Sequence, residues 1–223
     1  MGTLVELVTP LHKKTSRDYL ARMMDDKVHC MEVARQYGKD YWDGDRRYGY
    51  GGYTYDGRWK PLAQRIVDRY RLGPSASVLD AGCGKAHLLH ELKQLIPDLK
   101  VLGFDPSVYG LSHAPDLIHK HLFEGFADEE RTWNLFNEKQ FDLVLSINVL
   151  HNLKRNVLQI ALSGIQRVGK EAYICVESYR NAQEQFNLQC WALTCWAFYT
   201  NDEWVSAFRE YGYTGDYEFI YFE

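Results

Sequence analysis

The stretch Val78-Leu-Asp-Ala-Gly-Cys-Gly-Lys-Ala86 decides the fold. Apolar residues predict a short strand ending at Asp80, and a helical pattern of leucines begins at Lys85. Gly82 and Gly84 therefore lie where a strand turns into a helix. Glycine lets a ligand approach the backbone there, and the first N–H groups of the helix point at that ligand. This arrangement predicts a binding site for a nucleotide-type cofactor.

Outward from this loop, helical and strand patterns alternate from about Gln64 onward. Alternation of this kind predicts an α/β fold, with a mostly parallel sheet and helices on both faces. Pro61 marks the start of the helix before the loop, and Thr200-Asn-Asp-Glu203 is a capping box that opens the last helix. The predicted strands are 77–80, 99–104, 117–121, 141–147, 172–176 and 217–222, of which the third has the weakest pattern.

The first part of the chain is organised differently. An amphipathic helix is predicted there, with its apolar face over an edge or the top of the sheet. Tyr41–Trp59 then contains five glycines and is predicted to be a loop or lid, because glycine disfavours a stable helix. We divide the chain into residues 1–60, the N-terminal helix and lid, and residues 61–223, the cofactor-binding domain, within one compact domain. The apolar residues of the helix recur at steps of four, four and three: Leu20, Met24, Val28 and Met31.

Composition and charge indicate an ordinary globular protein. The 223 residues are 46% hydrophobic and 25% charged, with a net charge of −4. Proteins that bind nucleic acid normally carry a basic excess, so no nucleic-acid partner is predicted. The charge is uneven, since residues 35–71 hold nine Lys or Arg against five Asp, a net +4 against −8 elsewhere. That segment either creates a positive electrostatic field that attracts a small anionic substrate or is simply a solvated charged face.

Signals for membranes, secretion and metals are weak in this sequence. No stretch approaches the ~18 uninterrupted apolar residues of a membrane span, and residues 1–10 lack the features of a signal peptide. A cytoplasmic location without membrane association is therefore predicted. The five cysteines form no C-x-x-C pair, which favours reduced thiols over disulfides or a zinc site. The histidines show no metal-ligand spacing, and no metal is predicted.

The residues from Val78 to Gly84 resemble the first motif of class I S-adenosylmethionine-dependent methyltransferases, hydrophobic-hydrophobic-Asp-x-Gly-x-Gly. The family usually has a further glycine where this chain has Ala86. A dinucleotide fingerprint needs its third glycine at the position of His87, which disfavours NAD. The resemblance implies a Rossmann-like methyltransferase fold, with a doubly wound, mostly parallel seven-stranded sheet, and S-adenosyl-L-methionine as the cofactor.

Three more segments resemble the same family, and together the four cover about residues 62–223 in the family's order. Asp105 ends the second strand 21 residues after Gly84, where the family places an acid that holds the ribose hydroxyls. Residues 141–151 are similar to the fourth-strand motif, and residues 203–213 to the C-terminal one. The alternative is a Rossmann-like domain that binds no S-adenosylmethionine.

The resemblance also assigns contacts to the cofactor. Asp80 is expected to orient the glycine loop and to approach the methionine end of the cofactor, and a helix-cap carboxylate is the alternative. Residues 124–128 lack the family's Gly-Asp order, which leaves the acid near the adenine undefined. The predicted cofactor-binding residues are Asp80, Gly82, Gly84, Asp105, Gly125, Phe126, Ala127 and Asn148, with Gly125, Phe126 and Ala127 beside the adenine.

His151 is the candidate catalytic residue. It follows the fourth strand, at the carboxyl edge where such sheets bind ligands, and an imidazole there can take a proton from a hydroxyl or an amine. The alternative is a histidine that only packs or bonds to backbone. Methyl transfer from a sulfonium needs mainly alignment and exclusion of water, so a base is optional.

The lid is predicted to contact the substrate. Its aromatic side chains would close over the cofactor, and Arg46, Arg47 and Arg58 would clamp an anion. The alternatives are an aromatic loop packed on the domain and a homodimer contact. The predicted substrate-binding residues are Tyr48, Tyr50, Tyr53, Arg58 and Trp59.

These observations predict an S-adenosylmethionine-dependent methyltransferase that acts on a small-molecule substrate. The acceptor is expected to be small, polar and compatible with a negative charge, a sugar or another metabolite methylated on oxygen or nitrogen. Two alternatives stay open at this point. One is a catalytically silent cofactor-binding partner protein, and the other is an RNA methyltransferase that uses the basic segment 35–71.

Overall fold

An all-parallel sheet lies at the centre of the structure, a computed structural model that describes residues 2–51 and 53–223. Its strands are β1 (Ser77–Ala81), β2 (Lys100–Asp105), β3 (Leu122–Glu124), β4 (Phe141–Ile147), β5 (Gly169–Glu177) and β6 (Asp216–Ile220). Their order across the sheet is β3-β2-β1-β4-β5-β6. In the central register Asp80 pairs with Gly103 of β2 and with Leu145 of β4.

Helices precede the sheet and connect its strands. Before β1 lie α1 (Thr9–His12), α2 (Tyr19–Met24), α3 (Lys27–Ala34), α4 (Lys39–Asp43) and α5 (Lys60–Tyr70). After β1 lie α6 (His87–Leu95), α7 (Val108–Ser112), α8 (Asp116–His119), α9 (Glu130–Trp133), α10 (Leu158–Val168), α11 (Ala182–Trp191) and α12 (Asn201–Glu210). None of the helices in the described part of the chain is long and apolar enough to cross a membrane.

Both faces of the sheet are apolar, and each is covered by helices. Leu79 and Val144 pack with α10 and α12 on one face, whereas Val78 and Leu143 pack with α5 and α6 on the other. All four side chains are fully buried. Burial on both faces explains why the central strands lack the polar alternation of a half-exposed sheet.

The predicted seventh strand is wrong for the described residues, where the sheet has six strands. No segment of the sequence carries a pattern for it, and the number seven rests on the resemblance alone. The third strand also lies at Leu122–Glu124 rather than at 117–121. The reason is local, since Pro115 has a fixed φ of −58° and is followed directly by α8.

The long amphipathic helix predicted from the apolar spacing is interrupted, and the face that it buries differs from the predicted one. It divides into α2 and α3 at Asp26, which has a φ of 39°. Three of the four residues of the predicted apolar face point to solvent and Met31 is partly buried, whereas Arg22 is buried. Its guanidinium donates to the carbonyls of Arg46 and Gly49, each at 2.7 Å, and lies 4.6 Å from the ring of Trp191. Burial of this group decides which face of α2 turns inward. The exposed fractions of the predicted face are 61% for Leu20, 82% for Met24 and 70% for Val28.

The glycine-rich segment forms what we call the aromatic cap, residues 39–51 and 53–59. It contains α4 and a short 3₁₀ turn at Arg46–Tyr48, so the prediction that its glycines forbid a helix is wrong for this part. The reason is that glycine flanks α4, at 38 and 44, and does not interrupt it. Tyr41, Trp42 and Tyr53 pack edge to face or tilted, with ring centroids 4.6–5.3 Å apart. Closure of this segment on ligand binding stays a prediction.

Residues 3–17, which we call the N-terminal strap, run along β6 and then over its carboxyl end. Leu4 forms a parallel bridge with Tyr217 beside it. The carboxylate of Glu218, fully buried, then accepts backbone N–H groups from Leu7 at 2.6 Å, Val8 at 2.9 Å and Thr9 at 2.5 Å. These bonds fix the strap above the carboxyl edge of the sheet.

Candidate functional site

A cavity of about 620 Å³ opens at the carboxyl ends of β1, β2, β4 and β5. The aromatic cap and the N-terminal strap form its other walls, through residues such as Trp42, Tyr53 and Arg17. Ligands of open parallel sheets bind at this edge, because the loops that follow the strands converge there. The cavity is therefore the candidate functional site.

The loop after β1 forms one wall and requires glycine at two positions. Gly82 has a φ of +87° and Gly84 a φ of +55°. A Cβ atom on Gly82 would lie 2.2 Å from Cγ2 of Val149, and one on Gly84 would lie 2.6 Å from Cη2 of Trp42. The side chains of Val149 and Trp42 therefore occupy the space beside these two glycines, while the backbone of the loop lines the cavity.

Two buried carboxyl groups lie beside this loop. Asp105 accepts backbone N–H groups from Gly84 and Ser107, each at 2.8 Å, and so holds the loop to the end of β2. Burial raises the pKa of Asp105 to about 6, although both N–H donors act in the opposite direction. Burial, together with the nearby Asp105, raises the pKa of Asp80 to about 7. Two buried acids side by side favour a ligand that carries positive charge.

Most of the residues predicted for the cofactor share this cavity. Gly125 is not in the lining; it packs under the loop against Thr132 and Phe104. Asp128 lines the cavity and was not predicted, although an acid shortly after a weak third strand was a usable signal. The predicted residues that line the cavity are Asp80, Gly82, Gly84, Asp105, Phe126, Ala127 and Asn148.

His151 lies in the lining and is buried together with Glu177 at the end of β5. Its Nδ1 accepts the backbone N–H of Glu177 at 3.2 Å, and its Nε2 lies 3.5 Å from Oε2 of the same residue. Burial lowers the pKa of His151 to about 3 and raises the pKa of Glu177 to about 8. The imidazole is therefore neutral near pH 7, with its proton on Nε2.

Not all of the predicted substrate-binding residues line the cavity. Tyr50, Tyr53, Arg58 and Trp59 line the cavity, whereas Tyr48 is not in the lining and packs its ring on His29. The hydroxyl of Tyr50 is already engaged, since it accepts the backbone N–H groups of residues 193 and 194.

The predicted arginine clamp does not form in this structure. Arg47 pairs with Asp25 at 2.7 Å, and Arg58 pairs with Asp56 at 2.6 Å. Arg46 is absent from the cavity lining and lies 5.5 Å from the ring of Trp191. Arg47 and Arg58 have carboxylate partners and Arg46 lies outside the cavity lining, so the three are not arranged as an anion site.

Two other arginines line the cavity, and sequence reasoning missed both. Arg17 belongs to the N-terminal strap, and its guanidinium donates to the carbonyls of His12 and Thr15. Arg35 follows α3 and lies 4.0 Å from the ring centroid of Trp196. The Nε of each has no hydrogen-bond partner among the residues that the structure describes. The basic excess of segment 35–71 included Arg35, but nothing in the sequence indicated where its side chain lies.

Metal ions have no prepared site in residues 2–51 and 53–223. No group of three His, Cys, Asp or Glu side chains there is arranged to hold one. The five cysteines are unpaired in the same part of the chain.

Comparisons with known proteins were made for both the sequence and the structure. The profile of a family described as "Methyltransferase domain" matches residues 72–212. No curated protein sequence gives a significant match. The structure is similar to a SAM-dependent methyltransferase from Archaeoglobus fulgidus, with a TM-score of 0.55 and 16% identity over 78% of this chain and 72% of that one.

Two further solved structures are similar in fold. One belongs to a complex between the Haloferax volcanii Trm112 methyltransferase activator and a methyltransferase, with a TM-score of 0.55 and 18% identity over 89% of this chain and 77% of that one. The other is YcgJ from Bacillus subtilis, with a TM-score of 0.51 and 15% identity over 67% and 66%. At these identities the likeness concerns the fold.

Proposed function

Because the chain belongs to the methyltransferase domain family and is a class I S-adenosylmethionine-dependent methyltransferase, we propose that its acceptor is a small, polar, anionic molecule. A sugar or another metabolite, methylated on oxygen or nitrogen, fits this description. The observation that carries the proposal is the pair Arg17 and Arg35, which line the cavity and have carbonyls and aromatic rings, not carboxylates, as their partners.

The cavity suits S-adenosylmethionine on its β1 and β2 side. When bound, the cofactor supplies an electrophilic methyl carbon on a positively charged sulfur. The loop of Gly82 and Gly84 lines the cavity, and Asp80 and Asp105 offer two buried carboxyl groups. Phe126, Ala127 and Asn148 are proposed as its further neighbours, with Asp128 added by the structure.

Affinity for S-adenosylmethionine is expected to rise by about 10-fold between about pH 5 and pH 8. A bound cation lowers the pKa values of Asp80 and Asp105, which lie at about 7 and about 6 in the free protein. Binding therefore releases protons, and a higher pH favours it until both carboxyls are ionised. Calorimetry across this range measures the effect.

S-adenosylhomocysteine, which lacks the sulfonium charge, is the control ligand and should show a weaker pH dependence. Asp105→Asn should also reduce the slope, because it removes one of the two groups that release a proton. A flat affinity profile for S-adenosylmethionine contradicts the prediction.

The two sides of the cavity differ in charge, which supports an anionic acceptor. Asp80 and Asp105 lie on the cofactor side, at the ends of β1 and β2. Arg17 and Arg35 come from the N-terminal strap and the residues after α3, on the side of His151. The backbone N–H of Trp196, the residue on which Arg35 stacks, donates to the His151 carbonyl at 2.8 Å. An anion placed here would engage charges that the protein itself leaves unpaired.

We expect Arg35→Gln and Arg17→Gln each to raise the KM for the acceptor by about 10- to 100-fold, the range for a lost charged hydrogen bond. Wild-type protein is first incubated with S-adenosylmethionine and a metabolite extract fractionated by anion exchange. Formation of S-adenosylhomocysteine identifies the active fraction, and the variants are then compared on that fraction.

Arg47→Gln is the matched control, because Arg47 is paired with Asp25 and absent from the cavity lining. It should leave KM unchanged. Activity confined to fractions that the anion exchanger does not retain would overturn the anionic acceptor. Turnover with an RNA fraction alone would favour the RNA methyltransferase, and no turnover with any fraction would favour a silent partner protein.

The unpaired thiols support a reducing compartment, and we propose the cytoplasm.

A further inference from the structure

We infer that Glu177 takes the proton from the acceptor during methyl transfer and that His151 positions its carboxyl group. This inference rests on the proposed function, since it needs an acceptor with an O–H or N–H group. It differs from the sequence-based hypothesis, in which His151 itself is the base.

Glu177 ends β5 at the carboxyl edge of the sheet, and its side chain lines the cavity while being only 8% exposed. Its Oε2 is enclosed by protein 3.5 Å from Nε2 of His151, whereas its Oε1 accepts no hydrogen bond from the described residues. A buried carboxylate oxygen normally has its partners supplied by the protein. An oxygen left unpartnered at a ligand cavity therefore points to a partner that arrives with the ligand.

His151 is poorly placed to act as the base. Its Nδ1 lone pair already accepts the backbone N–H of Glu177, and its remaining ring proton on Nε2 faces Oε2 of Glu177. Both ring nitrogens therefore act on Glu177, one through the backbone and one through the carboxyl group. The backbone of His151 is also fixed, because its carbonyl accepts N–H groups from Trp196 and Ala197. Such a ring can orient a carboxylate but has no free lone pair for a proton.

The proposed step transfers one methyl group to the acceptor and one proton away from it. The acceptor oxygen or nitrogen forms a bond to the methyl carbon, the carbon–sulfur bond breaks with its electron pair staying on sulfur, and the acceptor proton passes to the carboxylate of Glu177. The protonated carboxyl then returns its proton to solvent. A carboxylate can accept the proton because burial gives it a basicity near that of the working pH.

Charges around Glu177 come from several elements. Arg17 of the N-terminal strap and Lys27 of α3 lower its pKa, whereas burial raises it to about 8. The carboxyl is therefore mainly protonated at pH 7 in the free protein and ionises as the pH rises through about 8. The groups that face it are His151, Arg17, Lys27, Tyr50, Cys175 and Cys195.

The test measures turnover on the active anion-exchange fraction for wild type and Glu177→Gln across the pH range. Turnover of the wild type should rise through a limb near pH 8. Turnover of Glu177→Gln should be lower by about 100-fold or more, and its pH profile should lack the rise near pH 8. Its affinity for S-adenosylmethionine, measured by calorimetry, should stay near that of wild type. Retained affinity also shows that the variant is folded. Glu91→Gln is the matched control, a buried carboxylate that accepts from Tyr55 and is absent from the cavity lining.

His151→Ala separates a positioning role from packing. Loss of the Nε2 donor should destabilise the carboxylate and move the limb to higher pH, with turnover at high pH partly recovered. If Glu177→Gln fails to fold, Glu177→Asp replaces it and should keep the limb while losing about 10-fold in turnover.

Equal turnover of wild type and Glu177→Gln would overturn the role of Glu177 and leave the proposed function intact. A limb that persists in Glu177→Gln and disappears in His151→Ala would return the base to His151. If the wild type turns over no fraction, the proposed function itself fails, which is a different result from either of these.

Discussion

Replacing Gly82 by alanine is expected to weaken S-adenosylmethionine binding by at least about 100-fold, because the new side chain has no space and the backbone no suitable conformation. The added Cβ would lie 2.2 Å from Cγ2 and 3.0 Å from Cγ1 of Val149. Val149 is branched at Cβ and cannot turn both methyl groups away. The loop that carries Asn148 must therefore move, and isothermal calorimetry measures the loss.

Gly57→Ala is the matched control for this variant. Gly57 has a φ of +77°, close to the +87° of Gly82, but an added Cβ would meet nothing within 4 Å. It should show the backbone strain alone, with cofactor affinity near that of wild type. Equal affinities for Gly82→Ala and wild type would show that cofactor binding does not depend on the packing of Gly82 against Val149.

Glu218→Ala is expected to lower the free energy of unfolding by about 3 to 5 kcal/mol, since it leaves several buried donors without an acceptor. The carboxylate accepts three backbone N–H groups of the N-terminal strap and the hydroxyl of Tyr173. Urea denaturation measures the stability. Amide exchange at residues 7–9 should become fast in the variant, because the strap loses its attachment.

Glu6→Ala serves as the control, since Glu6 is a carboxylate of the same strap that is exposed. It should change stability by no more than about 0.5 kcal/mol. Slow exchange of residues 7–9 in Glu218→Ala would mean that packing of Val5, Leu7 and Val8, rather than the carboxylate, holds the strap in place.

The backbone geometry of the β1 loop was predictable because its signals are local in sequence. Gly82 and Gly84 are needed by the backbone of one loop, and Asp105 lies at the end of the next strand. The capping box at Thr200 is confirmed for the same reason, since Thr200 and Glu203 bond to each other's backbone. Short-range geometry of this kind is contained in a few neighbouring residues.

The N-terminal region was not predictable, because distant residues decide its orientation. The apolar spacing of Leu20, Met24 and Val28 is that of a buried face, yet this face is exposed. Arg22 turns inward instead, because carbonyls of the aromatic cap and the ring of Trp191 receive its guanidinium. No periodicity in residues 19–31 contains that information.

The acceptor side shows the same limit. His151 was identifiable from its position after the fourth strand, but its partner Glu177 ends a different strand 26 residues later. Only the register between β4 and β5 brings the two together. The predicted number of strands was wrong for another reason, because it was taken from a resemblance and no pattern in the sequence supported it.

The bonds between the N-terminal strap and Glu218 have a consequence for how the protein is made. The backbone N–H of Leu7 and the carboxylate that receives it are 211 residues apart in the chain. During synthesis on the ribosome the strap emerges long before β6 and has no binding site until β6 has followed it. Contacts of such high sequence separation form late in folding, because the intervening chain must be ordered first. The wall that carries Arg17 can therefore close only after β6 has been synthesised, later than the β1 loop can form.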